Sequence, residues 1–129
     1  MKVINQRKDW DCGVASIAML LDIPYEGVLT TVLKNVDDPK LKKRGLILRQ
    51  MEQVLKLYKF KTRRVYRKDG YLDGATGILG LNHGLCAPAG HWVVVKEGLI
   101  IDPSDKTAMS PEEYCKAAKC RPATMLVID

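Results

Sequence analysis

From Val14 to Leu21 the chain reads Val-Ala-Ser-Ile-Ala-Met-Leu-Leu, and this run, in which only Ser16 is polar, constrains the fold more than any other feature. Wound as a helix it is apolar on every side, so it has to lie in the middle of a domain. The residues ahead of it, Gln6-Arg7-Lys8-Asp9-Trp10-Asp11-Cys12-Gly13, are mostly polar, which sets Cys12 where a polar segment enters a buried helix. Asp11 is a favourable N-cap residue, its carboxylate directed at the first helical N–H groups. A thiol in the first turn of such a helix meets unpaired N–H groups and the positive end of the helix dipole, both of which favour thiolate. Gly13 leaves room for a substrate backbone, and Gln6 carries an amide N–H₂ that reaches an oxyanion if the chain loops back. Trp10 either lines a cleft or fills the core.

A cysteine nucleophile needs an imidazole to take its proton and a third group to hold that imidazole. The chain has two histidines. His91 opens the apolar run His91-Trp92-Val93-Val94-Val95, and Asp102 ends the run Leu99-Ile100-Ile101-Asp102, with Glu97-Gly98 between them. Two strands joined by a tight turn are predicted, which makes His91 and Asp102 cross-strand neighbours. His83, in a glycine-bordered loop, is the alternative base and reads more simply as a surface residue. Asp105 competes with Asp102, which is preferred because a strand end fixes geometry better than a loop does.

Gln6 ahead of Asp11-Cys12-Gly13, a helix of small apolar residues, then a distant His-Trp-Val-Val strand and an Asp-Pro: this pattern resembles the double-glycine leader peptidases, the papain-like cysteine peptidase domains of bacteriocin exporters. The resemblance spans most of the chain and includes the helical segment from Leu46 to Tyr58. It implies that Cys12 is the nucleophile, His91 the general base and Asp102 its orienting partner. Gln6 would form the oxyanion hole with the Cys12 backbone N–H.

The order of the remaining elements agrees with an α+β fold, N-terminal helices packed on an antiparallel sheet. Ile23-Pro24 interrupts the first helix, and Val28, Leu29, Val32, Leu33 and Val36 form an apolar stripe that predicts a second over 25–36. Lys40 to Arg44 reads as a basic loop closed by Gly45, and a third helix over 46–58 is expected to cover the first. Strands are predicted over 60–66, 78–82, 91–95, 99–102 and 124–128. Ser110-Pro111-Glu112-Glu113 is a capping box with proline at the first helical position, so a last helix starts there and runs to about residue 118.

With 129 residues the chain is read as a single domain, 1–129, large enough to bury a core. No signal-peptide core and no run of the ~20 apolar residues of a membrane span is present, so a cytoplasmic protein is expected. Four cysteines, Cys12, Cys86, Cys115 and Cys120, then read as free thiols. No pair among His83, Cys86, His91, Cys115 and Cys120 has the short Cys-x2-Cys spacing of a zinc ribbon or finger, so neither a metal nor a cofactor is expected. The expected function is that of a stand-alone cysteine peptidase acting on a peptide or isopeptide bond of a protein or peptide substrate. The same parts would serve an amidohydrolase, deamidase or acyltransferase. A different class, a non-catalytic binding or inhibitor module, would use the peptidase-like cleft beside a basic face.

That basic face is the segment 40–68, which holds 12 Lys and Arg against one acid, Glu52, while the rest of the chain is net acidic. A charge run of this kind is either a solvated face or a dock for an acidic macromolecule, and no nucleic-acid motif accompanies it. If it docks such a partner, binding measured by fluorescence anisotropy falls steeply between low and high salt, because a screening length of ~10 Å at 0.1 M blunts the attraction. A flat salt profile returns the segment to solvent.

Overall fold

The computed structural model describes residues 10–66, 76–82, 91–96, 98–103, 108–118 and 121–128. Its first element, α1 (Cys12–Leu21), is the apolar run, and every residue from Cys12 to Leu20 is buried. Asp22 closes it in the left-handed conformation, with φ 55°. The Asp22 N–H reaches Met19 O and the Ile23 N–H reaches Ala18 O, a Schellman ending that satisfies two terminal carbonyls before Pro24. Pro24, in extended conformation, leads into α2 (Tyr25–Asn35). The predicted stripe holds at Val28, Val32 and Val36, whereas Leu33 is 48% exposed.

Lys40 to Arg44, expected to be a loop, contains a helical turn, α3 (Leu41–Arg44). Asp38 makes the turn: its carboxylate accepts the Lys40 N–H at 2.9 Å and Arg44 Nη2 at 2.5 Å, while Leu41 is buried beneath. The Gln50 amide, the Lys40 N–H and the nearby cations hold the Asp38 carboxyl below its ordinary range, against a smaller opposing effect of burial. Gln50 donates to Asp38 and accepts the Ile47 N–H, so the same side chain caps α4 (Leu48–Leu57) and ties it to α3. A second Schellman ending follows, in which Lys59 takes a φ of 68° and the Phe60 N–H bonds to Leu55 O. The helix is shorter at both ends than the predicted 46–58, and Met51, Val54 and Leu55 form its buried face.

The strands are β1 (Thr62–Tyr66), β2 (Gly77–Asn82), β3 (His91–Lys96), β4 (Leu99–Ile101), β5 (Ala108–Met109) and β6 (Arg121–Ile128). They form one sheet in the order β1-β6-β2-β3-β4-β5, and every neighbouring pair is antiparallel. The short β5 was not expected from the sequence, and β6 begins earlier than 124, pairing along β1 and β2 together. Between β5 and β6 lies α5 (Pro111–Ala118), started by Ser110, whose Oγ accepts the Glu113 N–H at 3.2 Å.

Alternation along the strands divides the apolar side chains between two faces. Ile78, Val94, Ile101 and Leu126 join α1, α2 and α4 in one core, and Leu79, Leu81, Val93, Val95, Ile100 and Met125 join Tyr114 of α5 in another. A strand covered on both sides has no solvent face to mark with polar residues, which is why β3 reads as an uninterrupted apolar run. No helix among the described residues is long and apolar enough to cross a membrane.

Gly45, between α3 and α4, has a φ of 79° and a ψ of −167°. A Cβ there would stand 2.5 Å from Trp10 O, so backbone conformation and close approach both require glycine. Gly45→Ala is expected to lower stability by about 1–3 kcal/mol or more, measured by urea denaturation.

Candidate active site

The site is built on the N-terminal end of α1, where the first N–H groups have no partner within the helix. Cys12 is the first helical residue, a free thiol with 8% of its surface exposed. Asp11 precedes it but does not cap the helix through its side chain, contrary to the expectation from sequence. Its carboxylate is fully buried and accepts the hydroxyl of Tyr25, the first residue of α2. A buried carboxylate needs a strong donor, and the Tyr25 phenol meets that need while pinning the segment before Cys12 to the next helix.

Gly13 also differs from its expected role. A Cβ at this position would lie 2.9 Å from Met51 Sδ, 3.1 Å from Leu46 Cδ1 and 3.3 Å from Trp92 Cδ1. The space beside Gly13 is taken by α4, the segment before it and β3, so the glycine serves packing and not the approach of a substrate. Trp10 belongs to the same core, which resolves its two readings in favour of filling. Two bonds fix α1 and the 45–47 corner on β3: Ser16 Oγ donates to Trp92 O at 3.2 Å, and Trp92 Nε1 donates to Leu46 O at 2.7 Å. Both converge on the residue after His91.

His91 is the first residue of β3, and its Nε2 lies 2.7 Å from Asp102 Oδ1. They are cross-strand neighbours, as the sequence suggested, though not directly opposite one another. Val94 pairs with Ile101 and Val95 with Ile100, so one further step sets Asp102 opposite Val93, with His91 two residues on along the same face. This is the diagonal relation, which an imidazole and a carboxylate can span. Asp102 Oδ2 accepts the hydroxyl of Tyr114 at 2.5 Å, and Asp102 and Tyr114 are 4% and 3% exposed. Tyr114 was not singled out by sequence; the only signal was a tyrosine one turn into a capped helix.

Burial alone would lower the affinity of His91 for a proton. The hydrogen bond to Asp102, the hydrogen bond and charge of Cys12, and the charge of Asp102 overcome it and raise the pKa from 6.5 to about 10. Cys12 is close enough to the imidazole to act on its affinity for a proton. Chemically, the arrangement is a sulfur, a proton carrier held in one orientation, and a buried carboxylate.

The structure therefore joins His91 to Asp102 by a hydrogen bond, with Cys12 near the imidazole. Gln6, His83 and Asp105 lie outside the described residues, as do Cys86 and Cys120. Among the described residues no three His, Cys, Asp or Glu side chains gather as metal ligands.

No protein-family model and no curated protein matches the sequence. Solved structures do resemble it. One is a double glycine motif protease from an AMS/PCAT transporter, in complex with the leader peptide. It has a TM-score of 0.67 and 20% identity over 98% of this chain and 89% of that one. Another is the peptidase domain of Streptococcus mutans ComA, in complex with a small-molecule inhibitor, with a TM-score of 0.62 and 19% identity over 100% of this chain and 99% of that one. At this identity the likeness establishes the fold alone, an α+β arrangement shared with these peptidase domains.

A raised pKa has a defined sign in stability. The contribution of His91 is complete below its ordinary value of 6.5 and is lost as pH rises through about 10. In an NMR titration His91 is expected to keep its proton well above pH 7, and Cys12→Ala is expected to lower its midpoint. A His91 midpoint near 6.5 in the unmodified protein would contradict the pairing.

Proposed function

We propose that this protein is a thiol peptidase that hydrolyses a peptide or isopeptide bond, with Cys12 as nucleophile. One observation carries the reading: His91 is hydrogen-bonded to buried Asp102 and lies near Cys12, the first residue of the buried helix. An imidazolium beside the sulfur holds a proton ready for a leaving group. The fold shared with a protease bound to a leader peptide supports a peptide as the substrate class, and peptides carrying a double-glycine motif are the first to test.

In the reaction, Cys12 Sγ attacks the scissile carbonyl carbon and a C–S bond forms. The oxyanion is held by the Cys12 N–H and, in this proposal, by the Gln6 amide. His91 gives its proton to the departing amine as the C–N bond breaks and a thioester remains. Water then loses a proton to His91 and attacks the thioester, which releases the carboxylic acid and returns the sulfur to its resting state. Asp102 holds the imidazole in one tautomer and orientation throughout.

Mass spectrometry of candidate peptides should show cleavage by the wild type and none by Cys12→Ala or His91→Ala. Gln6→Ala is expected to lower kcat by roughly 10²–10³ if its amide serves the oxyanion. A short iodoacetamide pulse at pH 6, followed by peptide mapping, should label Cys12 ahead of the other three cysteines, and His91→Ala should remove that advantage. Equal labelling of Cys12 in both proteins, with no cleavage of any peptide, would reject the enzyme in favour of a binding module.

A further inference from the structure

Tyr114 belongs to α5, on the sheet face opposite the one that receives α1, yet its hydroxyl ends on the carboxylate that holds His91. We propose that Tyr114 is a positioning residue for the thiol site, its hydroxyl locking the Asp102 carboxylate so that Oδ1 stays directed at His91. The proposal rests on the thiol-peptidase reading for its effect on turnover, but not for its effect on the imidazole.

Asp102 follows β4 and is 4% exposed, so few waters can stabilise its charge. His91 meets Oδ1 at 2.7 Å and Tyr114 meets Oδ2 at 2.5 Å. With a donor on each oxygen, the carboxylate cannot turn about its terminal torsion without straining both bonds. A phenol suits this place because its ring is paired with the second core while its O–H finds a charged acceptor.

The start of α5 fixes where that ring stands. Ser110 Oγ accepts the Glu113 N–H at 3.2 Å, and Ser110 O accepts the Tyr114 N–H at 2.9 Å. The capping sequence that starts the helix thereby sets the height at which Tyr114 leaves it. The chain from Asp102 to Tyr114 makes a circuit through β5, paired with β4, and returns to the same carboxylate. A tyrosine with a merely structural duty needs any acceptor within reach, whereas this one meets the carboxylate bonded to His91.

The test is Tyr114→Phe, which keeps the ring and removes the oxygen. In the folded variant, the His91 midpoint in an NMR titration is expected to shift, because the carboxylate that supports the imidazolium loses its second donor and the orientation that donor fixes. His83 serves as the internal reference. On a cleavable peptide, kcat should fall roughly tenfold with KM within about twofold, the scale of one charge-assisted hydrogen bond. In an Asp102→Asn background the same substitution should change kcat little, since the carboxylate it positions is gone.

An unmoved His91 midpoint overturns the proposal, and so does an equal loss of kcat with and without the Asp102 carboxylate. If no peptide is cleaved by the wild type, the peptidase reading fails while the titration still decides the role of Tyr114. Should Tyr114→Phe not fold, the hydroxyl proton of Tyr114 is followed in the parent chain. It should resonate at low field and move in Asp102→Asn, and an unmoved resonance overturns the proposal.

Discussion

A helix that is apolar on every side has to be enclosed on every side, and the enclosure of α1 organises the rest of the structure. At roughly 25 cal/mol per Å² of apolar surface removed from water, a helix with nine consecutive buried residues is a large share of what such a domain can gain. The sheet supplies one wall through β3, α2 supplies another, and Met51 of α4 with Leu46 closes the region around Gly13. Its two ends, Cys12 and Leu21, are what come near the surface. Cys12 occupies the first turn because it is the one place where a buried helix still offers unpartnered N–H groups to the outside.

Polar groups inside this enclosure are few, and each is used to fix one element against another. Asp11 takes the hydroxyl of Tyr25, Ser16 donates to the backbone of Trp92, and Trp92 donates to the backbone of Leu46. Lost in a low-dielectric interior, any of these bonds would leave a buried group unpaired, which costs more than the bond contributes. They therefore act as registration marks: α1, α2, the 45–47 corner and β3 can each sit in one place. His91 inherits its position from Trp92, and its charge state from Asp102 and Cys12.

The basic segment has a different character. Its described Lys and Arg residues are all exposed, and two of the arginines pair with acids, Arg44 with Asp38 and Arg64 with Glu52 in two hydrogen bonds. Surface pairs of this kind are screened by solvent and contribute little, so they steady α3 and link α4 to β1 without deciding the fold. The Asp38 cluster shows how a run that reads as a loop can become a helical turn: the carboxylate that closes it lies just before the run, and the buried leucine anchors it from below.

Local information determined a good part of this protein. The all-round apolar run specified a central helix, the Val28, Val32, Val36 spacing specified α2, Ser110-Pro111 specified the start of α5, and the apolar runs specified the middle strands. Each rests on periodicity or capping within one element, which a sequence displays directly. Cys12, His91 and Asp102 could be singled out as candidates because their side-chain chemistry is specific to so few residues. What decided their relation was tertiary. The diagonal offset of His91 and Asp102 depends on the register of β3 with β4, and the same hairpin slipped by one residue would turn the side chains to opposite faces. Asp11 reads as a cap until Tyr25 is beside it, Gly13 reads as an opening until Met51 fills it, and Tyr114 reads as an ordinary helical residue until the far face of the sheet brings it to Asp102. These outcomes depend on which surfaces meet after the chain has folded, because a hydrogen bond or a van der Waals contact is set by distance in space and carries no trace in the spacing of residues along the chain.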